Sequence, residues 1–207
     1  MTTNSDTPFG LRPVRHRNGA PYNGAANPYF VPASFGTALF IGDAVVKTGT
    51  SNTAQVTAPG AGTFPIGTLP EINRAAAGDN NMITGVIVGF APNPDALGLI
   101  HNPANTARVV YVCDDPDVVF EIQADGAIAA AQVGLNAVLI YTHAGSTVTG
   151  RSGAELDTTS DVPAADASNQ LTIQRVINRD DNFAATNFTK VEVKINQHTE
   201  ADNVIGI

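Results

Sequence analysis

Apolar residues in this chain come in short runs, roughly four to eight long, and nearly every run is cut by Gly, Pro, Asn, Asp or Thr. Punctuation that dense leaves no room for helices of ordinary length and suits short strands joined by turns. The 19 Gly and 13 Pro among 207 residues, with few Lys and no Trp, push the same way. Leu39-Phe40-Ile41 leads through Gly42-Asp43 into Ala44-Val45-Val46, and Ile66-Gly67-Thr68-Leu69 follows. Residues 83–90 form the clearest buried strand. Residues 109–113 and 118–122 flank Asp114-Asp115-Pro116-Asp117 and read as a hairpin or corner, and 137–141 and 146–149 read as a second pair around His143-Ala144-Gly145. Val191, Val193 and Ile195 alternate with Glu192, Lys194 and Asn196, the pattern of a half-buried strand.

One helix is expected, over residues 127–133, with Asp125-Gly126 before it and Gly134 after it. At about two turns it has to pack on a sheet to persist. Residues 150–169 have the composition of a long surface loop. The fold class read from these patterns is all-β. It comprises mainly short antiparallel strands in a barrel- or tulip-like body over residues 39–207, with one short helix, preceded by an extended N-terminal arm over residues 1–38.

The arm is inferred from prolines. Pro8, Pro13, Pro21, Pro28 and Pro32 forbid continuous helix or central strand, while Asn18-Gly19 and Asn23-Gly24 are turn dipeptides. Phe9, Leu11, Tyr22, Tyr29 and Phe30 recur as apolar anchors, so the segment reads as a chain lying along a surface, its own or a partner's. Arg12, Arg15, His16 and Arg17 add a basic cluster, read either as a solvated turn or as a contact with an acidic neighbour.

The 11 basic and 19 acidic residues give a net charge of −8, which argues against a general nucleic-acid binder. Between residues 114 and 166 stand nine acidic residues and one basic residue, Arg151, so a positive arm faces a negative body and the chain can associate with its own copies. Cys113 is alone, which excludes an intramolecular disulfide and a thiolate zinc site. No secretory signal and no membrane-spanning run is read, so assembly in a reducing cytoplasm is expected.

Catalytic constellations are scarce. His16, His101, His143 and His198 are scattered, no Gly-x-Ser-x-Gly elbow or phosphate-binding glycine loop is present, and Cys113 beside Asp114 sits in the wrong field for a nucleophile. The reading is therefore not an enzyme, with no cofactor. Asp114, Asp115 and Asp117, with Glu121 and Asp125 downstream, are the metal candidates. Their spacing is not that of an EF-hand, and the plain alternative is a turn whose carboxylates face water or cap backbone donors.

The opening 7–16, Thr-Pro-Phe-Gly-Leu-Arg-Pro-Val-Arg-His, with Asn18-Gly19 and Pro21-Tyr22-Asn23-Gly24, resembles a group of virion structural proteins of tailed bacteriophages. The resemblance continues through Phe40-Ile41-Gly42-Asp43-Ala44-Val45, residues 85–90, Asp114-Asp115-Pro116-Asp117, Phe120-Glu121-Ile122-Gln123 and Val133-Gly134-Leu135-Asn136-Ala137. The order Gly-Asp-Ala-Val, Pro65-Ile66-Gly67, Ala76-Ala77-Gly78-Asp79 and Gly85-Val86 is similar to the small β-rich capsid decoration proteins of the phage lambda type. That resemblance implies a trimeric cement protein on the outer surface of an expanded head, contacting the major capsid protein through an arm that orders on docking. Its implied contacts are Phe9, Leu11, Arg12, Arg15, Arg17, Tyr22, Tyr29 and Phe30, with no nucleic acid or membrane partner. This arm is longer and this body larger than in the lambda type. Two other readings stay open: another virion component, such as a head–tail connector, tail or vertex protein, and a cation- or carbohydrate-binding β module built on the acidic corner.

Overall fold

Strict alternation along β2 (Asn27–Val31) and β8 (Arg108–Cys113) builds the first of two units. Tyr29, Val31, Val110 and Val112 turn inward to meet Leu39, Val45, Ile72 and Ile87. Their neighbours Phe30, Val109 and Tyr111 turn outward into a satellite cluster with Ala58, Leu69 and Ala91. Together with β3 (Ala44–Ser51), β6 (Pro70–Arg74) and β7 (Gly85–Phe90), these strands close a barrel in the order β2-β6-β3-β7-β8. Only β2 and β6 run parallel. A small hairpin, β4 (Val56–Ala58) with β5 (Gly62–Phe64), supplies part of the satellite cluster.

The computed structural model describes residues 3–201 and is all-β, with 14 strands and, among the described residues, one 3-10 turn as its only helical element. The second unit is an open antiparallel sheet of β1 (Arg12–His16), β9 (Val118–Gln123), β14 (Lys190–Ile195), β13 (Leu171–Val176) and β10 (Asn136–Ala137), in that order. Its inner face carries Phe120, Ile122, Val191, Val193, Leu171 and Ile173. Barrel residues Ala44 and Val86 cover part of this face. Leu139 and Leu156 from the two-stranded ribbon β11 (Leu139–Ile140) and β12 (Glu155–Leu156) cover the rest. The segment 114–117, three aspartates and Pro116, is the corner by which the chain leaves the barrel at β8 and joins the sheet at β9.

The expected arm is not seen as a separate element. β1 is an edge strand of the open sheet and β2 a stave of the barrel, with Leu11, Tyr29 and Val31 buried in the two cores. The prolines are accommodated without breaking the strands: Pro13 lies on an edge, beside a bulge between Pro13 and Arg15. Just before β1, Gly10 adopts φ +71, and a Cβ there would sit 2.5 Å from the Gly42 carbonyl oxygen, the same oxygen that accepts the Leu11 N–H at 2.9 Å. Close apposition to the barrel wall requires glycine at that step.

Four further expectations are corrected. The helix over 127–133 reduces to a 3-10 turn at Ala130–Gln132. Asp125 does not cap it, because its carboxylate accepts the Thr158 N–H at 2.8 Å and hydroxyl at 2.7 Å, while Ile128 is anchored in the core. Residues 150–169 are not a surface loop throughout, since Ser152, Ala154, Glu155, Leu156 and Asp157 are buried and β12 pairs with β11. That pairing replaces the expected hairpin between 137–141 and 146–149. β14 is a central strand buried on both faces and not a half-buried one. No helix among the described residues is long and apolar enough to cross a membrane.

Candidate functional site

The outer face of the open sheet concentrates charge because alternation places Glu121 of β9 and Glu192 of β14 on the side away from the apolar core. The two glutamates are direct cross-strand partners. Like charges so placed repel, and the register supplies the remedy: Arg12 of β1 stands opposite Glu121, and Arg175 of β13 stands opposite Glu192. An Arg–Glu–Glu–Arg row therefore crosses four adjacent strands. Arg12 pairs with Glu121, whose second oxygen accepts from Arg179 at 2.8 Å. Arg15 and Arg175 clamp the two oxygens of Glu192 at 2.6 and 2.7 Å. Burial would push the Glu192 carboxyl up, but hydrogen bonds from Arg175 and Arg15 outweigh it and hold the group below its usual range.

Beside this row lies a groove of about 400 Å³ whose charged lining is Arg12, Arg151, Arg179 and Lys190 against Glu121 and Asp181. Asp181 is shared between Arg179 and Lys190. Four cationic side chains against two carboxylates make a positive concavity on a chain of net charge −8. The opposite sign gathers elsewhere: burial, then the charges of Asp79, Asp157 and Asp166, raise the Asp161 carboxyl, so these four aspartates share one field.

The sequence-derived contact residues fall into two groups. Leu11 and Tyr29 are buried, and Phe9, Tyr22 and Phe30 are partly buried against the body, so none of them is a free anchor. The basic cluster does meet an acidic neighbour, and that neighbour is the same chain. Arg12 and Arg15 serve the two glutamates, while His16 lies 3.3 Å from Asp115 and Arg17 lies 3.4 Å from Asp117.

The same contacts account for the metal candidates. Asp114 accepts from the Asn27 amide at 2.9 Å and the Tyr29 hydroxyl at 2.7 Å, and Asp115 accepts the Asp117 N–H at 2.8 Å. The three carboxylates are spread over separate partners at the corner, which is the turn-capping alternative. Glu121 faces the arginine row and Asp125 the Thr158 loop, so the structure does not bring these five acids to one locus. Burial pushes the Cys113 thiol up to about 11, consistent with a packing role.

Sequence reading missed a constellation formed by residues far apart in the chain. Asp6, His143 and Glu155 bring Oδ2, Nε2 and Oε2 together: His143 Nε2 lies 3.6 Å from Asp6 and 3.4 Å from Glu155. Burial raises the Glu155 carboxyl above its usual range. His143 was expected at an exposed turn, and it is there, but the turn folds back over β12. Arg175 and Arg179 were also passed over, since nothing local marks Arg175 and Glu192, 17 positions apart, or Arg179 and Glu121, 58 apart, as neighbours.

A larger groove of about 410 Å³ on the barrel wall is lined by Phe30, Val56, Ala58, Pro92 and Val109, with Arg108 its single charged residue. That guanidinium is engaged by the carbonyls of Ala91, His101 and Leu99. Comparison with family models, curated proteins and solved structures finds no match to this chain.

Proposed function

We propose that this chain is a structural protein of a tailed-phage virion, a decoration protein that binds the outside of the head as a homotrimer. There it bridges neighbouring capsomers of the major capsid protein and stabilises the expanded, DNA-filled shell. The observation that carries this reading is the positive groove beside the arginine row on a chain whose net charge is −8. Unlike surfaces on one chain favour a head-to-tail contact between copies, and such contacts close into rings when the rotation permits. The phage-like phrases of the sequence supply the setting.

The mechanism differs in one respect from the lambda-type expectation. The basic and aromatic residues of 9–30 are already docked on their own body, so shell contact is made by a formed surface and does not await the ordering of a free arm. Cementing then costs little backbone entropy, in contrast to roughly 1–2 kcal/mol per residue for an arm ordered on docking.

The deciding measurement is the copy number of this chain per purified virion against the major capsid protein. Near parity supports decoration, and a handful of copies moves the protein to a connector, tail or vertex position. Absence from the particle overturns the virion reading. Light scattering of the isolated protein tests the contact itself: a trimer at low salt that dissociates as salt rises is expected, because exposed charge pairs are screened over about 8 Å at physiological ionic strength.

A further inference from the structure

We propose that Asp6, His143 and Glu155 form a binding site for a small transition-metal dication of the Zn2+ class, which clasps the start of the chain to the β11–β12 ribbon. The argument is geometric first. His143 Nε2 stands 3.4 and 3.6 Å from one oxygen of each carboxylate, and all three atoms lie within 4.8 Å of one another. Those separations exceed an ordinary N–H···O hydrogen bond. They approximate the edge of a coordination tetrahedron, about 3.3–3.4 Å for ligand bonds of about 2.0–2.1 Å.

The carboxylates are also oriented from behind. The Gln123 amide, itself buried, donates to the other oxygen of each: to Asp6 Oδ1 at 3.1 Å and to Glu155 Oε1 at 2.9 Å. Its own carbonyl oxygen is fixed by the Thr7 N–H at 3.1 Å. Thr142 adds a hydroxyl donor at 3.2 Å to the facing oxygen, Glu155 Oε2. Outer partners of this kind hold metal-ligating carboxylates in other proteins. The backbone that carries the histidine packs closely on the segment leading to β12, since a Cβ on Gly153 would fall 2.4 Å from the His143 carbonyl oxygen.

Charge and ligand type choose the ion. Two carboxylates and a neutral imidazole match a dication with no net charge left over. An imidazole donor selects zinc, copper, iron or nickel over calcium, which takes oxygen ligands. The acidic corner offers a contrast, because its carboxylates are each held by separate protein donors. The site joins residue 6 to residues 143 and 155, so a bound ion would close a long loop of the chain. It stands on these side chains alone and is independent of the virion reading.

The test is calorimetric titration of untagged, full-length protein with ZnCl2, paired with thermal melts. One equivalent bound and a raised melting temperature are expected. His143→Ala, which changes a half-exposed side chain and leaves the cores intact, should abolish both effects. Glu155→Gln should do so with shape preserved, and Gln123→Ala should weaken binding roughly ten- to a hundredfold. His16→Ala, beside the acidic corner, should change nothing. Failure of the wild-type protein to bind Zn2+, binding that survives His143→Ala, or binding lost in His16→Ala overturns the proposal.

Discussion

The barrel and the open sheet solve the same problem differently. The barrel closes on itself and has no edge, and it encloses an apolar cluster whose Tyr29 hydroxyl finds Asp114. The sheet has an apolar face, a charged face and two edges. One edge is blunted by Pro13 and a bulge, and the other by a strand of two residues. The difference teaches where variation can be tolerated. The barrel is a scaffold with little chemistry to offer, whereas the sheet presents an organised array of charge to whatever approaches it.

Three perturbations break or sharpen that contrast. The largest is removal of residues 1–35, which deletes a stave of the barrel and an edge strand of the sheet together with Leu11, Tyr29 and Val31. The expected outcome is a chain without a cooperative thermal transition by circular dichroism. A truncated protein that melts like the full chain would restore the separable arm.

The second concerns the barrel end. Asp43 is buried, accepting the Phe40 N–H at 2.8 Å and the Ser152 hydroxyl at 2.5 Å, with Arg74 and Tyr141 also in its field. Burial raises its carboxyl from 3.8 to about 6. The folded state thus holds a proton that the unfolded state has released, and stability falls as pH rises through that window, by on the order of 3 kcal/mol. Asp43→Asn, of the same shape, should flatten urea-denaturation midpoints between pH 4 and 7 (roughly the window set by the shift). An unchanged slope would remove Asp43 from the account.

The third concerns the sheet and has the opposite sign. Glu192 is held below its usual range by its arginines, so its contribution is present above the unfolded value and is lost as pH falls through the folded one. Glu192→Gln should cost about 1–2 kcal/mol near neutrality, a modest figure because Arg175 is half exposed. The loss should vanish in strong acid. A cost independent of pH would mean that the side chain matters for its packing and not for its charge.

Much of the fold was legible because period-two alternation is a local property. Val191, Val193 and Ile195 declare their face within a few residues, and the apolar runs at 85–90, 109–113 and 118–122 mark β7, β8 and β9. Strand order was not legible, because it is decided by pairings such as Arg12 with Glu121, more than a hundred positions apart. Composition misled in two places for one reason. Proline-rich 1–38 and the polar stretch 150–169 look like solvent-facing chain, yet their polar groups are satisfied by distant partners, as Asp43 satisfies Ser152 and Gln123 satisfies Glu155. The candidate site suffered most. The basic cluster was visible as charge, but its acidic neighbour is the chain's own sheet, and the triad of Asp6, His143 and Glu155 has no spacing that a sequence motif could encode.

The two strands nearest the N-terminus pair with partners made well after them. β1 finds its place on β9 only after about a hundred further residues have emerged, whereas β2 can meet β6 where Phe30 pairs with Glu71 and β8 where Val31 pairs with Arg108. At ribosomal speeds of about 5–20 residues per second, β1 waits roughly 5–20 s for β9. Prolines at 8, 13, 21, 28 and 32 and the arginine cluster suit such an interval, because they discourage nascent strands from adding to a neighbour's sheet. The composition that imitates a disordered tail in the sequence thus suits the interval of synthesis before β8 and β9 are available as partners.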